Sequence, residues 1–183
     1  MAIHPDLKSL ILESLPEYLH VAEYCVKFRK DSAWGREQAG GCLGYPAAVM
    51  LFSIVDTIGS FYRGRTDLSI AISGKSVHIR GDGFQHFFVL NSEFYGQNLD
   101  KPTIVRLYGD FRSLLVHNAS LAPSSFLVNY PTVSTAFPAV GAKYLVNVPA
   151  FLDISREAVR LFLSRVDEVI PRSEQAANIA RRK

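Results

Sequence analysis

The stretch AAVMLFSIVDTIGSFYR, Ala47 to Arg63, constrains the fold more than any other, because it has the length of a helix yet is apolar almost all round. A helix of that kind has no solvated face to spare, so it belongs in the middle of a helical bundle or between two subunits. The most apolar run, Tyr45 to Val55, stops at Asp56 and falls short of the ~20 apolar residues that a membrane-spanning helix needs. No membrane association is therefore expected. Asp56 is the one charged position in the helix interior, and a carboxylate there is costly unless a donor or cation meets it. The sequence thus predicts a partner for Asp56.

A chain of 183 residues is long enough to bury one sizeable core without disulfides or metal, and one domain is expected. Hydrophobic residues at 48% against 20% charged exclude disorder as the general state. Twenty Lys and Arg against seventeen Asp and Glu leave a net charge of +3, too small to draw nucleic acid by the field of the whole molecule. Any such function has to rest on a site. Cys25 and Cys42 have no CxxC spacing, and the N-terminal residues lack a secretory pattern, which points to a reducing, cytoplasmic setting.

Along the chain, apolar residues recur at helical spacing over residues 5–30, with Pro16 expected to kink or break the helix into two pieces. Residues 31–46 hold four glycines and a proline and read as a loop, before the buried helix of 47–63. Residues 68–80 suit a short hairpin or an irregular helix, and the aromatic run from Phe84 to Tyr95 suits a helix after Gly81-Asp82-Gly83. Asp100 and Pro102 mark the start of a helix over 101–117. Over 125–150, SFLVNYPTV and AKYLVNVPAFL separated by FPAVG predict a β-hairpin. A closing helix over 153–170 would be capped by Asp153 or Ser155, followed by a basic tail. The expected class is mainly α, a bundle of four to five helices with a small β-hairpin before the last.

The segment LYGDFRSLLVHNAS, Leu107 to Ser120, carries the chemistry. On the helix from Pro102 that includes it, Ile104, Leu107, Tyr108, Phe111, Leu114 and Leu115 form the core face, and Arg112 lies on the flank of that face. On a regular helix five positions put His117 about 140° round from Arg112, so the two do not meet. They converge if the helix unwinds at Val116, or if two copies of the helix face one another. Asn118 and Pro123 favour an end to the helix there. A histidine at a helix C-terminus also gains from the dipole when protonated, so a plain capping role competes with a catalytic one.

The arrangement Arg112-Ser-Leu-Leu-Val-His117-Asn, late in an amphipathic helix of a mainly helical chain, resembles the HEPN family of metal-independent ribonucleases and RNA-associated domains. The motif of that family is an Arg, four to six residues beginning with a polar one, then His. Ser113 fills the polar slot, where the family more often has Asn, Asp or His. The resemblance implies RNA as substrate, no metal and no cofactor, and a homodimer with two Arg and two His in one cleft. It implies His117 as acid and base, Arg112 on the phosphate, and Ser113 and Asn118 as supporting groups. Asp56 would either hold Arg112 or be an ordinary core carboxylate. A toxin or phage-defence setting would add an antitoxin or another protein partner. The alternative is a non-catalytic helical dimerisation or binding domain on the same fold.

Other signals are weaker. Ser73-Gly-Lys-Ser76 ends like a phosphate-binding P-loop, but position 69 is Ser where the motif needs Gly. His78 and His86 lack ligand partners at metal spacing and read as isolated histidines. The loop from Trp34 to Gly44 lacks a nucleotide fingerprint. Arg63, Arg65 and Arg80 would extend a basic patch, with Arg181, Arg182 and Lys183 a solvated tail. Tyr18, Tyr24, Phe28, Phe84, Phe87 and Phe88 could stack on bases, although helical spacing favours a core role.

Overall fold

A computed structural model of the chain, describing residues 5–181, is mainly helical. Helix α1, Leu7–Lys27, starts where the Asp6 carboxylate accepts from the Ser9 amide at 2.7 Å. The expected break at Pro16 is absent, and one helix runs through that position. Pro16 is exposed, while Ile11, Leu15, Ala22, Cys25 and Val26 are buried on the inner face. Burial of that face outweighs the one backbone hydrogen bond that proline removes. After α1 the glycine-rich loop closes on itself: the Lys30 amide donates to the Gly41 carbonyl at 2.9 Å and the Gly40 amide to the Lys30 carbonyl at 2.8 Å.

Helix α2, Gly44–Phe61, is the centre of the molecule and begins three residues earlier than expected. By length and composition it is apolar enough to cross a membrane, with mean hydropathy 1.3, but half of it is buried here under α1, the α5 helix described below and a 3-10 segment. Phe52 on α2 is its hub. Its ring lies 5.8 Å from Phe87, 6.1 Å from Phe111 and 4.9 Å from Phe151, so three further segments of chain meet at one side chain. Rings at such separations add to the gain from burial alone.

Residues 68–80 do contain a small hairpin, β1 (Ala71–Ile72) with β2 (Lys75–Ser76), turned by Ser73 and Gly74, both at positive φ. The aromatic run is helical in the tighter 3-10 form, Gly83–Asn91. Next comes a continuous helical rod in three parts: α3, Lys101–Arg106, capped by Asp100; a π-helical stretch, Leu107–Ser113; and α4, Leu114–Asn118.

The expected hairpin over 125–150 needs correction. Strands β3 (Ser125–Val128) and β5 (Lys143–Asn147) lie where the β-type runs are, but they pair in parallel. The antiparallel neighbour of β5 is the short β4, Ala139–Val140, giving the order β3-β5-β4. Parallel strands need a crossover, and residues 129–138 supply it. The buried Asn147 side chain holds that crossover, accepting from the Tyr130 amide at 3.0 Å and donating to the Tyr130 and Val133 carbonyls at 3.1 and 2.7 Å.

The closing helix also starts earlier than expected. Helix α5, Val148–Ser164, follows β5 directly, with Pro149 in its first turn, so neither Asp153 nor Ser155 is its cap. It breaks at Arg165, and the chain continues as α6 (Val166–Val169), a 3-10 turn and α7 (Glu174–Arg181). Arg182 and Lys183 of the expected basic tail lie outside the described residues.

Candidate active site on the helical rod

Three elements bring a polar cluster to the edge of the core. Asp56 faces outward from α2 at 20% side-chain exposure, and both its oxygens are used. Oδ2 accepts from Arg112 Nη2 at 2.6 Å, and Oδ1 lies 2.7 Å from His86 Nδ1, which donates to it in the tautomer this geometry selects. The carboxylate thus ties the π-helical stretch and the 3-10 segment to α2. Such charge-assisted bonds are stronger than neutral ones.

Gly59, one turn along α2 from Asp56, is what lets His86 come so close. A Cβ on Gly59 would lie 2.1 Å from the His86 carbonyl oxygen, closer than atoms can approach. Only a residue without a side chain permits this crossing. From the other ring nitrogen the cluster extends weakly outward: His86 Nε2 is 3.6 Å from Asp82 Oδ1, and Asp82 pairs with Arg63 Nη1 at 2.5 Å. His86 Nε2 and Arg112 Nε are both buried without a hydrogen-bond partner in the protein.

Arg112 sits in the π-helical stretch, with its guanidinium 5.6 Å from the Tyr108 ring centroid. Tyr108 in turn stands edge-on to Phe87 at 5.4 Å. A π-helical turn carries more residues per turn than an α-helix, so the angle expected between Arg112 and His117 on a regular helix does not apply to this rod; such turns recur at functional sites. His117 lies beyond it in α4, exposed. Among the described residues no hydrogen bond or ion pair joins His117 to Arg112. Ser113 is half-buried and Asn118 is exposed. The left-handed residue that ends the helix is Ala119, at φ 50°, one position after the asparagine expected there.

The structure therefore brings Arg112 and Asp56 together, leaves His117 apart, and adds His86, which sequence reasoning set aside as isolated. No spacing links His86 to Asp56, 30 positions away. The available signal was Gly59 inside an otherwise bulky helix, since a small residue there marks the close approach of another segment.

The basic patch is reduced to one member. Arg63 is committed to Asp82, and Arg65 is buried, bonded to both oxygens of Asp67 and to the Val169 carbonyl. The Arg65 guanidinium holds the Asp67 carboxyl below its ordinary range. Arg80 alone of the three is exposed and lacks a carboxylate partner among the described residues. Of the candidate stacking rings, Phe87 and Phe88 are core, while Tyr18 and Tyr24 are exposed. Both cysteines are buried and free, and burial pushes their thiols up, away from the reactive thiolate. Among the described residues no three His, Cys, Asp or Glu side chains group as metal ligands. No family model matches the chain, and no curated protein or solved structure matches it.

Proposed function

We propose that the chain is a HEPN-like domain directed at RNA, with a cleavage site completed by a second copy of itself. One observation carries the reading: Arg112 is anchored to Asp56 at the core edge while His117 stands exposed on the same rod. A composite site needs that division, a fixed cation and an accessible acid or base. Val105 and Val116, exposed at 41% and 45% on this rod, supply apolar surface for a second copy. The helical core, with its small sheet set before α5, is read as the bundle of that family.

The chemistry then assigns itself to named atoms. The ribose 2′-hydroxyl attacks its own phosphorus, the bond to the 5′-oxygen breaks, and a 2′,3′-cyclic phosphate and a 5′-hydroxyl are left. One His117 takes the proton of the 2′-hydroxyl, and the His117 of the second copy gives a proton to the leaving oxygen. Arg112, held through Nη2 and with Nε buried, offers Nη1 to the charge developing on phosphorus. Asp56 and His86 position that guanidinium.

The same carboxylate favours a second reading, a non-catalytic dimerisation or binding domain. An arginine whose charge is already met inside the protein attracts phosphate less than a free one. The two readings separate in one assay: cleavage of mixed-sequence RNA in EDTA by the parent, His117→Ala and Arg112→Lys, each shown to be folded and of equal oligomeric state. Cleavage by the parent with cyclic phosphate ends, lost in His117→Ala, supports the ribonuclease. Equal inertness of all three across several RNAs refutes it and leaves the binding domain.

A further inference from the structure

Phe84, Gln85 and Phe88 of the 3-10 segment border an open cleft of about 530 Å³. Its lining comes from the β1–β2 hairpin, the segment that follows it, the 3-10 segment and the start of α3. Three cations converge there, Lys75 from β2, Arg80 from the segment after it and Lys101 from α3, and none of the lining residues is acidic. Among the described residues no carboxylate lies within ion-pair distance of any of the three. In a chain whose other arginines are mostly paired, three unpaired cations on one cleft are an electrostatic vacancy for an anion.

Polar and aromatic groups narrow the chemistry. Gln85 is fixed by its side-chain oxygen, which accepts from the Arg80 and Gly81 amides at 3.1 and 3.0 Å, so its amide nitrogen is left to donate. His78 Nδ1 is buried and has no partner in the protein. One wall is aromatic: Phe84 stands edge-to-face with Phe88 at 5.7 Å, and Lys101 Nζ lies 5.9 Å from the centroid of the Phe84 ring. Phe84 is only half-buried, which leaves part of the ring to the cleft.

We propose that this cleft binds a nucleotide, its phosphates on Lys75, Arg80 and Lys101 and its base against Phe84. The volume lies within the range of small-molecule sites and admits a single nucleotide. A flat base gains by stacking on an aromatic wall and the phosphates by three cations, a pairing that neither an apolar ligand nor a bare anion would use in full. Lys75 belongs to Ser73-Gly-Lys-Ser76, which fails as a P-loop, since its glycine turns a hairpin and not a strand into a helix. Its lysine serves phosphate here as a side-chain charge alone. The site uses none of Arg112, His117 or Asp56 and stands independently of the ribonuclease reading.

The same chemistry occurs in a free nucleotide and at the end of an RNA strand, and titration calorimetry on the full chain separates them. ATP, AMP, tripolyphosphate and a short oligoribonucleotide are titrated into the parent and into Lys75→Ala/Arg80→Ala. The oligonucleotide arm is run in the His117→Ala background to prevent cleavage. Phe84→Leu tests the base wall. All variants are first checked for an unchanged melting temperature. The expected result is ATP bound more tightly than AMP, a loss of at least about tenfold in the double variant, and a weakening in Phe84→Leu for ATP but not for tripolyphosphate. Binding of the oligonucleotide alone, with the same dependence on the three residues, places the nucleotide at a strand end. No binding of any nucleotide, or binding indifferent to all these substitutions, overturns the proposal, as does tripolyphosphate bound as well as ATP in both parent and Phe84→Leu.

Discussion

The bond between Asp56 and Arg112 can be weighed by a double-mutant cycle. Both side chains are less than a quarter exposed, at 20% and 23%, so solvent screens the pair only in part. Unit charges about 4 Å apart at an effective dielectric of about 20 attract by about 4 kcal/mol, and desolvation with ordering of the long arginine offsets about half. The expected coupling is about 2 kcal/mol, within the range for hydrogen bonds to charged groups. Asp56→Ala alone should cost more, about 3–5 kcal/mol, because His86 loses its partner as well. Arg112→Met, which retains most of the aliphatic stem, isolates the charge. Urea denaturation of the parent, both single variants and the double variant gives the coupling directly. It should also appear as about 4–8 °C in the melting temperature. A coupling under about 0.5 kcal/mol would refute the view that Asp56 anchors Arg112, and with it the fixed cation of the proposed site.

Further perturbations bear on the same geometry. Gly59→Ala drives a Cβ into the His86 carbonyl and should destabilise by at least about 3 kcal/mol, read by denaturation; a cost within about 0.5 kcal/mol would show that the 3-10 segment does not cross α2 there. Ala119→Gly relieves a left-handed backbone at the end of the rod and should raise stability by about 1 kcal/mol in the same assay. Because Arg65 holds the Asp67 carboxyl down, that pair stabilises the fold above the ordinary carboxyl range, and its contribution is lost as pH falls through the lowered value. Stability measured between about pH 5 and about pH 2 should therefore decline less steeply in Asp67→Asn than in the parent.

Much of this protein follows from local pattern. Helix α2 is legible because its apolar run is too long for a buried strand, and the start at Asp100 because an aspartate two residues before a proline meets the first free amides of a helix. Pro16 misleads because proline reports only the local loss of one hydrogen bond. The inner face of α1 decides the matter by burial against α2. The strands near the end of the chain announce themselves by composition, but composition carries no pairing direction. The direction goes with the crossover over residues 129–138, which Asn147 ties down.

At the site the division is sharper. Sequence alone determined that Asp56 needs a partner, that Arg112 borders a core face, and that the helix ends just after His117, since each follows from burial or backbone chemistry within one element. Only the tertiary structure decided that Asp56 serves two partners, that one of them is His86, and that Lys75, Arg80 and Lys101 share a cleft. Asp56, His86 and Arg112 lie far apart along the chain and meet through the packing of α2, the 3-10 segment and the rod, as Lys101 meets Lys75 and Arg80, and the energy of such meetings depends on distances that no residue carries in its own identity.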